Sequence, residues 1–344
     1  MTADLAVSVA GLPLKHPVMA GSGEATMTAE GIRAALEAGA AAVVAKSANE
    51  SAAARRQLAM AEYAVLDASW RRVPAGRPPP PGASYFGRSG LVDVPFERWV
   101  ETLAESDALA RDHEAYVVAS LIVAGVDEAA RMAKELETAG LRWLELNVGA
   151  PHAGEAAPGA IRAAASADDV GSLVGPVRQA VSMALTVKLP GEGDLASQAE
   201  AAVAAGADAV CIAGRFLGFL PDPETRRPVL GTFGAMGGGW ALPLSLRWIA
   251  KARALLGPDV ALVGTNGARS GEDVVRFLLA GASAVELTTS VILEGPGALT
   301  RAIEELTAYC DGQGVAARDL VGEAADHTMT YEEAGRTPRG ESPG

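Results

Sequence analysis

One phrase recurs along the chain: a helix-period stretch, then Ala-Gly or a close variant, then a short apolar run. It appears at Glu37–Val43, Thr138–Leu141, Ala204–Val210 and Leu279–Val285. Glycine directly after a last helical residue takes the left-handed conformation that ends a helix without steric penalty. The apolar run that follows reads as a parallel strand buried on both faces, which shows no alternation. Eight such runs are present: Pro17–Ala20, Ala41–Ala45, Tyr116–Val123, Trp143–Val148, Ala184–Leu189, Asp208–Ala213, Val260–Gly264 and Ser283–Thr288. Helical patterns separate most of them, at Thr28–Ala38, Phe96–Arg111, Asp127–Ala139, Leu195–Ala205, Leu244–Leu256 and Gly271–Ala280, and Leu299–Cys310 follows the eighth. Eight strands alternating with helices predict an α/β fold, a (β/α)8 TIM barrel, with a doubly wound open sheet as the structural alternative.

Two segments depart from the repeat. Residues 48–95 separate the second strand from its helix, where barrel loops need only a handful. This insertion holds a predicted helix around Ala52–Leu66, a proline-rich stretch Arg72–Gly82, and the phrase Tyr85-Phe86-Gly87-Arg88-Ser89-Gly90-Leu91. It leaves the C-terminal end of a barrel strand, where active sites of this architecture lie, so a lid is expected. A barrel over residues 1–312 is then followed by a tail over 313–344 that is expected to be partly disordered.

Composition narrows the function classes. Of the 344 residues, 49% are hydrophobic and 21% charged, which supplies a large core and excludes global disorder. Acids outnumber bases 42 to 29, a formal net charge of −13, which disfavours nucleic acid and anionic lipid as partners. Cys211 and Cys310 alone cannot build a disulfide framework, a zinc cage or an iron–sulfur site, and no metal centre is expected. The amino terminus has no basic stretch ahead of its apolar residues, and the longest uncharged apolar run, Ala115–Val126, is too short to span a bilayer. A cytoplasmic protein without membrane contact is the expectation.

Chemistry belongs where each strand meets its following helix. Those positions hold Ala20-Gly21-Ser22-Gly23, Lys46-Ser47, Asn147, Lys188, Ala213-Gly214-Arg215, Gly264-Thr265-Asn266-Gly267 and Thr288-Thr289-Ser290. Small residues dominate, with two lysines and an asparagine. That set suits a flat ligand with a phosphate tail, because glycine lets backbone N–H groups approach closely and the last two strand ends of such barrels commonly hold a phosphate. Asn266 fits a turn there, since asparagine tolerates positive φ. Gly191-Glu192-Gly193-Asp194-Leu195-Ala196 matches a dinucleotide fingerprint, but no acid ends the next strand. No G-x-S-x-G or H-E-x-x-H is present, so serine hydrolase and zincin chemistry lack support.

Taken in order, these phrases resemble the dihydroorotate dehydrogenase family, including the related domain of dihydropyrimidine dehydrogenase. The likeness runs from about Leu5 to Cys310. It begins with a hairpin-like Leu5–Val9 and Leu12–Lys15 and passes through Leu14–Gly23, Val43–Ser47, Glu145–Val148 and Val187–Pro190. It ends with Met236–Gly238, Gly264–Gly267, Ala280–Val285 and Glu294–Pro296. The resemblance implies FMN at the C-terminal mouth, a small-molecule substrate and a homodimer. By position, Ala20, Gly21 and Ser22 would line the isoalloxazine, and Lys46 and Ser47 would contact ring and ribityl chain. Asn147 would bridge flavin and substrate, and Lys188 would lie at the ring's polar edge. Gly214 would adjoin the cofactor, and Gly237, Gly238, Asn266, Gly267, Thr288 and Thr289 would surround the phosphate; the family usually has glycine at Asn266.

The departures bear on the substrate. After Asn147 the family carries a cysteine or serine base, then proline and asparagine; here the chain reads Val148-Gly149-Ala150-Pro151-His152. Alanine cannot accept a proton, and His152 replaces a substrate-binding asparagine. A second family asparagine is Ala213, and Gly87–Leu91 stands where a third is expected. A heterocycle missing those partners loses about 1–3 kcal/mol per unsatisfied buried group. The expectation is therefore hydride transfer between flavin and a C–C bond of a small cyclic or unsaturated substrate other than orotate. Arg88, Ser89 and Arg215 would bind it, as an anion if both arginines face the pocket. His152 would move the accompanying proton. Two alternatives stay open: an inactive flavin-binding scaffold or sensor, and a cofactor-free barrel for a phosphorylated metabolite.

Overall fold

A computed structural model describes residues 3–57, 61–88, 90–149, 164 and 166–336. Eight parallel strands close into a barrel: β1 (Val18–Ala20), β2 (Ala42–Val44), β3 (Tyr116–Ile122), β4 (Trp143–Asn147), β5 (Ala184–Lys188), β6 (Ala209–Ile212), β7 (Ala261–Thr265) and β8 (Ala284–Leu287). They neighbour one another in sequence order, and β8 pairs with β1 to complete the ring. All eight runs read from the sequence are strands. The expected (β/α)8 barrel, with a short N-terminal hairpin, is the fold.

Eight helices pack around it: α1 (Ala29–Glu37), α2 (Phe96–Asp112), α3 (Val126–Thr138), α4 (Ala167–Ala180), α5 (Leu195–Ala204), α6 (Leu242–Leu256), α7 (Gly271–Leu279) and α8 (Gly297–Gln313). The glycines of the recurring Ala-Gly phrase, Gly39, Gly140, Gly206 and Gly281, have φ of 99, 92, 100 and 111°, the left-handed stop the sequence signals. Helix α4 is the one element of this ring that no pattern singled out. Gly171, Gly175 and Pro176 lie inside it, and a capping box at Ser166 and Asp169 starts it instead.

Along the barrel axis the interior changes character. Met19, Ala42, Val44, Val118, Trp143, Ala209, Cys211, Val263 and Ala284 form an apolar plug, and Val9 and Leu14 of the hairpin Val7–Val9/Leu12–Leu14 pack onto it. Inward positions one step further along the strands are Ser120, Glu145, Lys188 and Glu286, all buried. The N-terminal end is thus closed by hydrophobic packing, and the C-terminal end is polar.

The insertion differs from its sequence reading. Its helix is short, Ala52–Gln57, and Glu62–Leu66 is a strand rather than the continuation of that helix. The residues of that strand alternate in exposure, and it pairs antiparallel with Ser84–Arg88. Two strands from the excursion after β6, Phe216–Gly218 and Gly234–Gly238, complete a four-stranded sheet. One face carries Ala64, Leu66 and Phe86, which form their own small core with Leu230. After Gly312 the chain continues through 3-10 turns at Ala317–Leu320 and Ala325–His327, with Ala317 and Leu320 buried.

Candidate active site

The strand-end residues Ala20, Gly21, Ser22, Lys46, Ser47, Asn147, Lys188, Gly214, Arg215, Asn266, Gly267, Thr288 and Thr289 all lie at the C-terminal end of the barrel. Gly237 and Gly238 reach it from the four-stranded sheet. A Cβ added to Gly237 would stand 2.4 Å from Thr289 Oγ1, 3.4 Å from Asn266 Oδ1 and 3.6 Å from Arg215 Cγ. Gly237 is opposite Tyr85 in the sheet register, so the face that carries Tyr85 covers the mouth. Arg88 is three positions beyond Tyr85 on the same strand, an odd step that places it on the other face. There Arg88 donates to Glu62 Oε2 at 2.8 Å. Ser89, Ala150 and His152 lie outside the described residues.

Lys46 and Lys188 are both buried, each in its own ion cluster. Lys46 Nζ donates to Glu24 Oε1 at 2.7 Å, and Arg215 Nη1 lies 3.7 Å from Glu24 Oε2. The Arg215 guanidinium also stands over the Tyr85 ring, 5.4 Å from its centroid. Burial raises the Glu24 carboxyl, but Arg215 and Lys46 more than offset it and hold the pKa at about 2. Burial depresses the Lys46 ammonium, Glu24 counters this in part, and Arg215 adds to it. Burial and then the Glu24 charge raise the Tyr85 hydroxyl, so it stays protonated. Sequence reasoning passed over Glu24 and Tyr85: a carboxylate is unexpected among residues read as an anion site, and Tyr85 lies far away along the chain.

The second cluster surrounds Lys188. Lys188 Nζ donates to Glu145 Oε2 at 3.2 Å and to Glu286 Oε2 at 2.5 Å. Ser120 Oγ donates to Glu145 Oε1 at 3.1 Å and lies 2.8 Å from Ser47 Oγ, while Cys211 Sγ is 3.5 Å from Glu286 Oε1. Burial alone would lower the Lys188 ammonium; the carboxylates of Glu145 and Glu286 reverse that and raise it. Glu145, Cys211 and Glu286 are the grouping of metal-type donors found among the described residues, and Lys188 bridges its two carboxylates.

Toward β7 and β8 the mouth opens into a cavity of about 450 Å³. Gly238, Gly239, Gly267, Arg269, Ser270 and Thr289 help to line it, and Pro79–Gly82 of the insertion form its outer wall. Asn266 has φ 63°, the left-handed turn its residue type allows, and Gly267 has φ 124°. A Cβ at Gly267 would lie 2.5 Å from the Leu242 Cα, so only glycine lets this turn meet the start of α6. Asn266 Nδ2 donates to Gly214 O at 3.3 Å, whereas Asn147 Oδ1 accepts from Gly149 N at 3.0 Å. Four buried polar atoms around the mouth have no hydrogen-bond partner: Glu24 Oε2, Tyr85 Oη, Arg215 Nη1 and Asn266 Oδ1. Glu24 Oε2 and Arg215 Nη1 are ion-paired at 3.7 Å without a hydrogen bond; buried polar groups are nearly always fully paired, so these four atoms together mark a place for a polar ligand.

Residues 82–309 match the family model "Dihydroorotate dehydrogenase". The catalytic subunit of dihydroorotate dehydrogenase B (NAD(+)) from Desulforudis audaxviator is 30% identical over 334 residues, 94% of this chain and 98% of that protein. The chain belongs to the dihydroorotate dehydrogenase family. Dihydroorotate dehydrogenase A (fumarate) from Lactobacillus helveticus is 33% identical over 57% of this chain and 64% of its own length. The corresponding B-type catalytic subunit of Porphyromonas gingivalis is 31% identical, over 57% of this chain and 62% of its own length. The chain thus spans less than two thirds of those two relatives and nearly all of the first. Among the described residues, no helix is long and apolar enough to cross a membrane.

Proposed function

We propose that the barrel mouth binds FMN and that the chain is a flavin-dependent oxidoreductase acting on a C–C bond of a small anionic substrate other than orotate. The observation that carries the cofactor assignment is the fit of the mouth to a flat group with an anionic tail. Gly238, Gly239 and Gly267 line the cavity without side chains, and Tyr85 Oη, Arg215 Nη1 and Asn266 Oδ1 are buried at this end of the barrel with no hydrogen-bond partner. Ala20, Gly21, Ser22, Lys46, Ser47, Gly214 and Lys188 would hold the ring, and Gly237, Gly238, Asn266, Gly267, Thr288 and Thr289 the phosphate. Bound there, FMN supplies an acceptor for hydride from a substrate carbon.

The chain's own residues do the rest. Asn147, at the end of β4, orients the substrate. Arg215 supports an anionic group: its Nη1 is buried without a hydrogen-bond partner, and Glu24 neutralises only one of the two cations beside it. Arg88 is held by Glu62 on the far face of the sheet, which leaves Arg215 as the better supported of the two arginines. Ala150 offers no base, so His152 takes the proton-transfer role. Ser89, the next residue in the sequence after Arg88, is a further proposed substrate contact, and homodimerisation remains part of the family-based proposal.

Extraction of the purified protein should release FMN identifiable by mass. Anaerobic dihydroorotate should then leave the flavin absorbance unchanged, while other dihydro-acids are screened for bleaching. Full bleaching by dihydroorotate at a rate matched to turnover would overturn the substrate assignment, and protein free of flavin after supplementation would overturn the cofactor.

A further inference from the structure

Lys188, Glu145 and Glu286 form a buried triad at the base of the mouth, with 8%, 1% and 2% residual exposure. Both contacts of the ammonium fall on carboxylate oxygens of the pair, and the remaining oxygens accept from Ser120 and Cys211. One oxygen of each carboxyl group and the Cys211 sulfur lie within 4.8 Å of one another. If all three groups were ionised, the triad would carry one uncompensated negative charge in a low-dielectric interior. Neighbouring carboxylates in such a place retain a proton rather than bear that charge.

We propose that Glu145 and Glu286 hold one proton between them at neutral pH, which makes Lys188 the cation of a net-neutral triad whose proton responds to charge arriving at the mouth. Negative charge beside Lys188 strengthens the pair's hold on the proton. Groups facing the pair from each strand are accounted for. Lys188 comes from β5 and the Ser120 hydroxyl from β3, while β6 supplies the Cys211 thiol, which burial and then Glu286 raise so that it stays neutral. Val44 of β2 is apolar, β7 sets the uncharged Thr265 opposite Glu286, Gly21 after β1 has no side chain, and in the neighbouring cluster Lys46 and Arg215 both face Glu24. Burial, reinforced by Glu286 and only partly offset by Lys188, raises Glu145 well above its ordinary 4.5. Glu145 and Glu286 are positioning residues, acting through Lys188.

Infrared spectroscopy of the full chain tests this. At neutral pH the wild type should show the C=O stretch of an un-ionised buried carboxylic acid, moved by D2O and lost at alkaline pH. Glu286→Gln and Glu145→Gln should each lack it, because the remaining glutamate then pairs with Lys188 as an anion. Both variants should match the wild-type thermal midpoint near pH 4.5 and exceed it at neutral pH, because an amide needs no proton from solution. A raised carboxyl makes the folded state bind more protons than the unfolded one, so wild-type stability falls as pH rises above 4.5 until the pair has titrated. The variants should lack that fall.

No acid band in the wild type, or one unchanged in both variants, overturns the shared proton. Its influence on the mouth rests on the FMN assignment and is read separately. The midpoint potential of bound FMN should change slope with pH where the acid band titrates, and Glu286→Gln should remove that change. Equal slopes in both proteins overturn the coupling; a chain that binds no FMN defeats the cofactor assignment and leaves the band to decide the proton.

Discussion

Lys46 and Lys188 occupy equivalent strand-end positions yet meet burial differently. Lys46 shares one carboxylate with a second cation and has its ammonium depressed, whereas Lys188 has two carboxylates and is raised. Removing Lys188 therefore strands the Glu145/Glu286 pair. Lys188→Met should lose about 3–5 kcal/mol in urea unfolding at neutral pH, the cost of breaking a buried pair. The deficit should shrink in acid, where protonated carboxyls need no counter-ion. His16, at the opposite end of the barrel, makes a second test. It is buried with Nε2 2.9 Å from Gly39 O, and burial depresses its pKa to about 4. A group more easily protonated in the unfolded chain adds stability that is present above its model value of 6.5 and lost as pH falls toward 4. A loss on the order of 3 kcal/mol across that window should be absent from His16→Gln. The sequence announced both lysines because they end apolar runs. It did not announce Glu24, whose role exists only where the loop after β1 meets Lys46 from β2 and Arg215 from the loop after β6.

The barrel strands and most helices were legible because each carries a local signal: an apolar run or a helix-period stripe with a glycine stop. The lid was not, because its strands pair across long stretches of chain. Glu62–Leu66 follows an alanine- and arginine-rich helical turn and continues its apolar content, so Ala52–Leu66 reads as one helix until Ser84–Arg88 supplies its partner. Likewise Gly234–Gly238, with three glycines in five residues, carries no strand signal of its own; pairing with Ser84–Arg88 makes it a strand and brings Gly237 over the mouth. The turn after β7 gives a sharp test of how closely such elements meet. Gly267→Ala places a Cβ at φ 124° and 2.5 Å from the Leu242 backbone. It should cost about 3 kcal/mol in chemical unfolding from combined backbone strain and overpacking. Gly257→Ala, at φ 81° with open space around it, should show the backbone strain alone, about 1 kcal/mol.

Seen along its axis, the molecule separates support from chemistry. The hairpin and the apolar plug close one end, the two ion clusters and the lid sheet form the other, and the glycine-lined cavity opens beside them. Such a mouth holds buried charges and unpartnered polar atoms that folding alone does not repay, so ligand binding should recover part of that cost. FMN at a hundredfold excess over its dissociation constant adds about 2.7 kcal/mol, which for a chain of this size raises the thermal midpoint by roughly 4 °C. Riboflavin offers the same ring without the anionic tail, and the cavity beside β7 and β8 is where that tail would lie. Riboflavin at the same concentration should therefore stabilise much less, and Gly267→Ala should bring the FMN shift down toward the riboflavin one. Equal shifts for the two flavins would place the binding energy in the ring alone and remove the phosphate from the β7–β8 end of the barrel.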